Sequence, residues 1–306
     1  MKLVLVLFFS FLSHAKEYKK YERGDYICTD EGAIDFIQNP QDLDYRYFHF
    51  ECEVIKGNDS IALPELYILA DKHRHLLASD FLANYLRSNG NLDTSWAKNS
   101  LNEAIKYQMQ TLAIIKDFSN YPSDDYKPFE SDNEYELVSH VKLPLLYLFR
   151  YHVDLESVDD HKIHLVGAPN YEEERDLETY PDYNIKMIDS LDKLILYSEE
   201  CANLPQKAHF HPITYQDTIK VCDSMKKMAK DTLLLEYKKQ EILNQCQYLD
   251  KTNCPEYYEN NNKIHELLSG YMEQAFGKFY FIRVNREIRL VFYIIEKKLT
   301  ELFEFI

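Results

Sequence analysis

The chain has 306 residues, with 51 acidic against 35 basic side chains and a net charge of −16. That balance repels phosphate backbones and anionic lipid surfaces, which argues against nucleic-acid and heparin-like partners. Seven glycines are far too few for the hairpins and phosphate loops of a β or α/β protein, so composition points to an all-α chain.

Residues 1–15 read as a secretory signal peptide. Lys2 precedes an apolar run from Leu3 to Leu12, and Ser13 and Ala15 fill the small positions before a cleavage point. The run is about half the ~20 residues that span a bilayer. The most apolar later stretch, Ile288 to Ile306, is interrupted by Arg289, Glu296, Lys297, Lys298, Glu301 and Glu304. That much charge excludes insertion into a bilayer core.

Residues 16–60 are expected to form an irregular N-terminal arm. It has turn signals at Asn39-Pro40 and Lys56-Gly57, and an aromatic stretch from Tyr45 to Phe50 compatible with a short strand or a helical turn. An N-terminal helical half follows over 61–165. Apolar residues from Leu63 to Arg87 recur at Leu66, Leu69, Leu76, Leu77, Phe81 and Leu82, predicting one continuous helix. Asp93-Thr94-Ser95 caps the next helix, to about Phe118, with Trp96, Leu101, Ile105, Met109, Leu112 and Ile115 on its inner face. A third runs from Tyr135 to Val153, bent or restarted at Pro144.

Residues 166–183 are expected to be an acidic linker between two helical halves. In the second half, 184–306, a helix from about Ile185 to Ala202 turns Ile188, Leu191, Ile195 and Leu196 inward. A long helix follows from about Thr214 to Leu249, and another from Glu256 to the end. There Ile288, Phe292, Ile295, Leu299, Leu302 and Ile306 step by four and three, a heptad seam that suits an internal partner helix or a dimer. The expected architecture is an all-α, disulfide-stapled helical bundle with long C-terminal helices and an irregular N-terminal arm.

Six cysteines permit fifteen pairings. If each half folds as a unit, Cys28 pairs with Cys52, leaving Cys201, Cys222, Cys246 and Cys254. Cys222 and Cys246 would lie about 36 Å apart on one continuous helix, beyond the ~7 Å a disulfide allows. Cys201–Cys222 with Cys246–Cys254 is favoured, and Cys201–Cys246 with Cys222–Cys254 stays open.

No catalytic pattern stands out, and no cofactor is implied. His265-Glu266-Leu267-Leu268-Ser269 begins a zinc motif but lacks its second histidine. His73 and His75 are two apart on an expected helix and point to different sides. His209 and His211 lie in an expected loop, without a third or fourth ligand, so no metal site is assigned. Asn58-Asp59-Ser60 is an N-glycosylation sequon, making Asn58 a glycosylation candidate. Tyrosine is abundant, and Tyr171, Glu172, Glu173, Glu174, Tyr180 and Tyr183 form an aromatic-acidic strip able to meet a basic surface of another protein.

With export, helices, acidity and few cysteines combined, the chain resembles the 34-kDa salivary secreted protein family of culicine mosquitoes in overall plan. That resemblance implies delivery into host skin during blood feeding and action on haemostatic or immune defences, through a host protein or cell-surface receptor, with no catalytic residues. The odorant-binding-like salivary proteins share helices and export, but their domains carry a Cys-x-x-x-Cys pair, and no two cysteines here are that close. The alternative is a carrier that holds a small apolar or cationic ligand between helices.

Overall fold

The computed structural model describes residues 28, 36–89, 94–119, 135–160, 180–207, 210, 212–246 and 254–271. The protein is an all-α, disulfide-stapled helical bundle, and no strand occurs among the described residues. The principal helices are α1 (Leu43–Ile55), α2 (Asp59–His73), α3 (Leu76–Asn89), α4 (Thr94–Ser119), α5 (Tyr135–Asp160), α6 (Tyr180–Ala202) and α7 (Pro212–Leu243). A further helix occupies 255–271. Of the described residues, those up to Leu82 together with 113–119 form one compact unit, and 83–89, 94–112 and those from 135 onward form another. The expected leader, the strip at 171–174, the pair His209 and His211, and the expected heptad seam at 288–306 lie outside the described residues.

In the first unit, the arm expected to be irregular over 16–60 is helical from Leu43 to Ile55. Asp42 caps α1, its carboxylate accepting from the Asp44 and Tyr45 amides at 3.0 and 3.3 Å. Such a cap offsets the unpaired donors of a first turn. Tyr47, Phe48 and Cys52 turn inward, and Cys52 is bonded to Cys28. Aromatic alternation that suits a strand therefore forms a helix, because the capped first turn and the bonded Cys52 fix its two ends. Gly57, with φ of +84°, makes the sharp turn into α2.

The single helix expected from Leu63 to Arg87 is two helices. Arg74 adopts a left-handed conformation, φ 48°, and its amide and that of His75 both close onto the Leu69 carbonyl. His75 then starts α3 as a cap. Its Nδ1 accepts from the Ala78 amide at 3.3 Å, which places the ring proton on Nε2, 2.9 Å from Asp44 Oδ1. One buried residue thus closes one helix through its backbone amide, while its imidazole begins the next and ties it to α1. Replacing His75 with alanine is expected to cost about 2 kcal/mol, the usual value of a lost cap plus one donor withdrawn from Asp44. His75→Asn should recover part of that loss in chemical denaturation, since its amide can restore the cap.

In the second unit, α6 packs against both α5 and α7, and α5 also meets α7. α5 continues through Pro144 as one helix instead of restarting. Buried Leu143, Leu145, Leu146 and Leu148 surround the proline. Each contributes about 1.5–3 kcal/mol, enough to outweigh the ~3 kcal/mol cost of a mid-helix proline.

The inner faces differ in detail from expectation. On α4, Leu101, Ile105 and Ile115 are buried as expected, but Met109 is 43 % exposed and Gln108 and Thr111 are buried instead. On α6, Leu191 is buried but Leu196 is 45 % exposed. The inner face of α6 runs through Asn184, Met187, Ser190, Leu191, Leu194, Ser198 and Cys201. Small polar side chains hold the inner positions because α6 is covered by two helices, and short residues permit close approach on both sides. α6 also starts at Tyr180, so Tyr180 and Tyr183 belong to its first turn and not to a linker.

All six cysteines are paired, as Cys28–Cys52, Cys201–Cys222 and Cys246–Cys254, with Cα–Cα distances of 5.3, 5.9 and 6.0 Å. The favoured arrangement holds, although α7 ends at Leu243, short of the expected Leu249. No helix among the described residues is long and apolar enough to cross a membrane.

Candidate functional site

The densest buried polar constellation lies in the second unit, on the core stripe of α7. That stripe runs through Met225, Met228, Ala229, Thr232, Glu236, Lys239 and Leu243, so helical periodicity carries a carboxylate and an ammonium into the interior one turn apart. Both are fully buried. Lys239 Nζ lies 3.4 Å from Glu236 Oε1, donates to Asn261 Oδ1 at 2.7 Å, and stands 5.0 Å from the centre of the Tyr257 ring. The Tyr151 hydroxyl, from α5, donates to Glu236 Oε1 at 2.6 Å.

Carboxylate, ammonium, carboxamide and aromatic faces thus converge from α5, α7 and the helix over 255–271. The net charge of the pair is zero, as a low-dielectric interior requires. Glu236 Oε2 has no hydrogen-bond partner among the described residues. What the arrangement does is fix which helix faces meet, because a slipped register would strand a buried charge.

Two further features lie elsewhere in the second unit. Tyr147 and Tyr197 stack across α5 and α6 with ring centres 5.4 Å apart and planes 16° from parallel. Burial, followed by the neighbouring Tyr197, pushes the Tyr147 phenol up to about 12, and burial chiefly raises that of Tyr197. At the corner after α6, Lys207 donates to both Glu136 oxygens at 2.7 and 2.8 Å. Beside them, burial holds His140 below the usual histidine range, with Glu136 opposing and Lys207 reinforcing. Tyr215 donates to the Leu204 carbonyl at 2.7 Å, so the corner holding the Cys201–Cys222 bond is itself well tied.

The raised phenol has a consequence for stability. Its folded value exceeds the ordinary value near 10, so its contribution is complete below pH 10 and is lost as pH rises through 12. A Tyr147→Phe variant should therefore show a flatter decline of unfolding free energy between pH 10 and 12 than the parent. Absorbance near the phenolate band should lose one late-titrating component, while the buried Tyr271 phenol, also pushed up by burial, still titrates late.

The expected site residues fare unevenly. Tyr171, Glu172, Glu173 and Glu174 lie outside the described residues, and only the helical backbone of Tyr180 and Tyr183 is defined. Asn58 is exposed, at the N-cap of α2. His73 is exposed and His75 buried, so the two do not converge. Among the described residues no group of three or more His, Cys, Asp or Glu side chains could hold a metal ion.

Glu236, Lys239, Tyr151 and Asn261 were not anticipated from sequence. The usable signal was register: Met225, Met228, Thr232, Glu236, Lys239 and Leu243 repeat by three and four, which carries the charged pair onto the apolar stripe. Comparison with known proteins gives no name to this constellation: no known family, no curated protein and no solved structure matches the chain.

Proposed function

We propose that this chain is an exported, non-enzymatic binding protein, a salivary effector that engages a host macromolecule during blood feeding and blunts haemostatic or immune defences. The observation that carries export is the use of every cysteine in a disulfide, with none left free. Disulfides persist in oxidising compartments and are rare in the cytosol. The salivary assignment rests on the resemblance in overall plan, and the contact surface on the strip from Tyr171 to Glu174 with Tyr180 and Tyr183. Acid and aromatic groups interleaved in this way suit a basic exosite.

The test is capture of a partner from vertebrate plasma or skin-cell lysate, followed by affinity measurement with the purified partner. Replacing Glu172, Glu173 and Glu174 with glutamine should weaken binding, and so should raising salt, because screening shortens the reach of exposed charges. Affinity indifferent to both would sink the proposed surface.

The second reading is a carrier that holds a small apolar or cationic ligand between helices, and the second unit suits the cationic kind. It is favoured by buried polar atoms that lack hydrogen-bond partners among the described residues, including Glu236 Oε2, both amide atoms of Asn184, and the Ser190 and Ser198 hydroxyls. Native mass spectrometry of protein purified from a secretory host distinguishes the two readings. A stoichiometric adduct lost on Glu236→Gln supports the carrier, and a bare chain refutes it.

A further inference from the structure

The corner between α1 and α2 carries an unusual combination. Residues 55–58, Ser60 and Ile61 are all exposed. Two large apolar side chains bracket the turn, Ile55 at 68 % exposed and Ile61 at 63 %. The two isoleucines put exposed apolar surface on both sides of the turn. Midway between them, three residues from each, stands Asn58, the acceptor position of the sequon Asn58-Asp59-Ser60.

The local geometry leaves the acceptor available. Gly57, with φ of +84° and nothing within 4 Å of where a Cβ would stand, turns the chain outward. The Asn58 backbone carbonyl receives the first amides of α2, from Ile61 at 3.0 Å and Ala62 at 3.1 Å, while its side chain makes no cap bond. Instead Asn58 Nδ2 donates to Glu53 Oε2 at 2.7 Å, and Lys56 Nζ donates to Glu53 Oε1 at 3.1 Å. A glycosylated asparagine keeps one N–H, which is still able to donate to Glu53.

We propose that Asn58 bears an N-linked oligosaccharide whose first sugars lie over Ile55 and Ile61 and shield that apolar corner. The inference rests on the export proposed above. In the transfer, a bond forms between Asn58 Nδ2 and C1 of the reducing-end sugar of a lipid-pyrophosphate-linked oligosaccharide. The C1–O bond to the pyrophosphate breaks, the lipid pyrophosphate leaves with the electron pair, and Nδ2 gives one proton to a base on the transferase. The sugar ring then presents its apolar C–H face to the isoleucines and its hydroxyls to water.

The test is expression of the full chain in insect secretory cells, with separate analysis of medium and cell lysate. Secreted chain should run as a single glycoform series, collapse to one lower mass with peptide N-glycosidase, and lose the shift in both Asn58→Gln and Ser60→Ala. Ser60→Ala leaves the Asn58–Glu53 contact in place, so it separates loss of sugar from disturbance of the corner. Ser60→Thr, which keeps a sequon, should retain the shift. Deglycosylated native protein should bind more of an apolar dye, and Ile55→Ser with Ile61→Ser should abolish that increase.

Secreted chain without sugar would overturn this inference and leave export standing. Chain confined to the cytosol and unmodified would overturn both. Glycosylated chain whose dye binding is unchanged by sugar removal would overturn the shielding.

Discussion

Replacing Lys239 with methionine is expected to destabilise the second unit by about 3–5 kcal/mol, the usual cost of breaking a buried ion pair from one side. Methionine fills nearly the same volume, so lost packing is minor. The Glu236 carboxylate, however, would stay in the interior with only the Tyr151 hydroxyl at Oε1. Glu236→Gln should also destabilise, by leaving the ammonium with Asn261 and the Tyr257 ring alone. The double replacement Glu236→Leu with Lys239→Met removes both charges, and similar exchanges of buried pairs are often neutral or stabilising. It should therefore be more stable than either single variant. Chemical denaturation followed by circular dichroism, arranged as a double-mutant cycle, measures the coupling. Additive effects would mean that the two groups do not depend on each other.

The second large effect concerns the bond between α6 and α7. Cys201 and Cys222 are both fully buried and 21 residues apart in sequence. Closing a loop of that size restricts the unfolded chain by about 3 kcal/mol. Cys201→Ala with Cys222→Ala should lower stability by that amount, and the midpoint of thermal unfolding by roughly 10 °C for a unit of this size. Cys246–Cys254 spans only 8 residues, so its removal should cost less, about 2.5 kcal/mol. A ranking reversed in thermal unfolding would show that native-state packing around each bond outweighs loop entropy.

Legibility differs sharply between elements. The helices at Thr94–Ser119, Tyr135–Asp160 and Pro212–Leu243 were readable because each carries several turns of three-and-four periodicity. The division at Arg74 and His75 was not readable. Leu69 and Leu76 keep helical spacing across it, and the deciding contact, Asp44 to His75, joins residues 31 apart. The inner face of α6 was misread because Asn184, Ser190 and Ser198 do not register as core on a hydrophobicity pattern. Two covering helices select them for size.

By itself, the sequence determined the all-helical class and restricted the cysteine pairing. Both follow from local rules: glycine scarcity disfavours tight turns, helical rise sets how far apart two cysteines on one helix must lie, and short separations favour closure. Only the tertiary structure decided that Glu236 and Lys239 are interior residues. Burying a charge is tolerable where Tyr151, Asn261 and Tyr257 arrive from other helices to meet it. No stretch of α7 contains those partners.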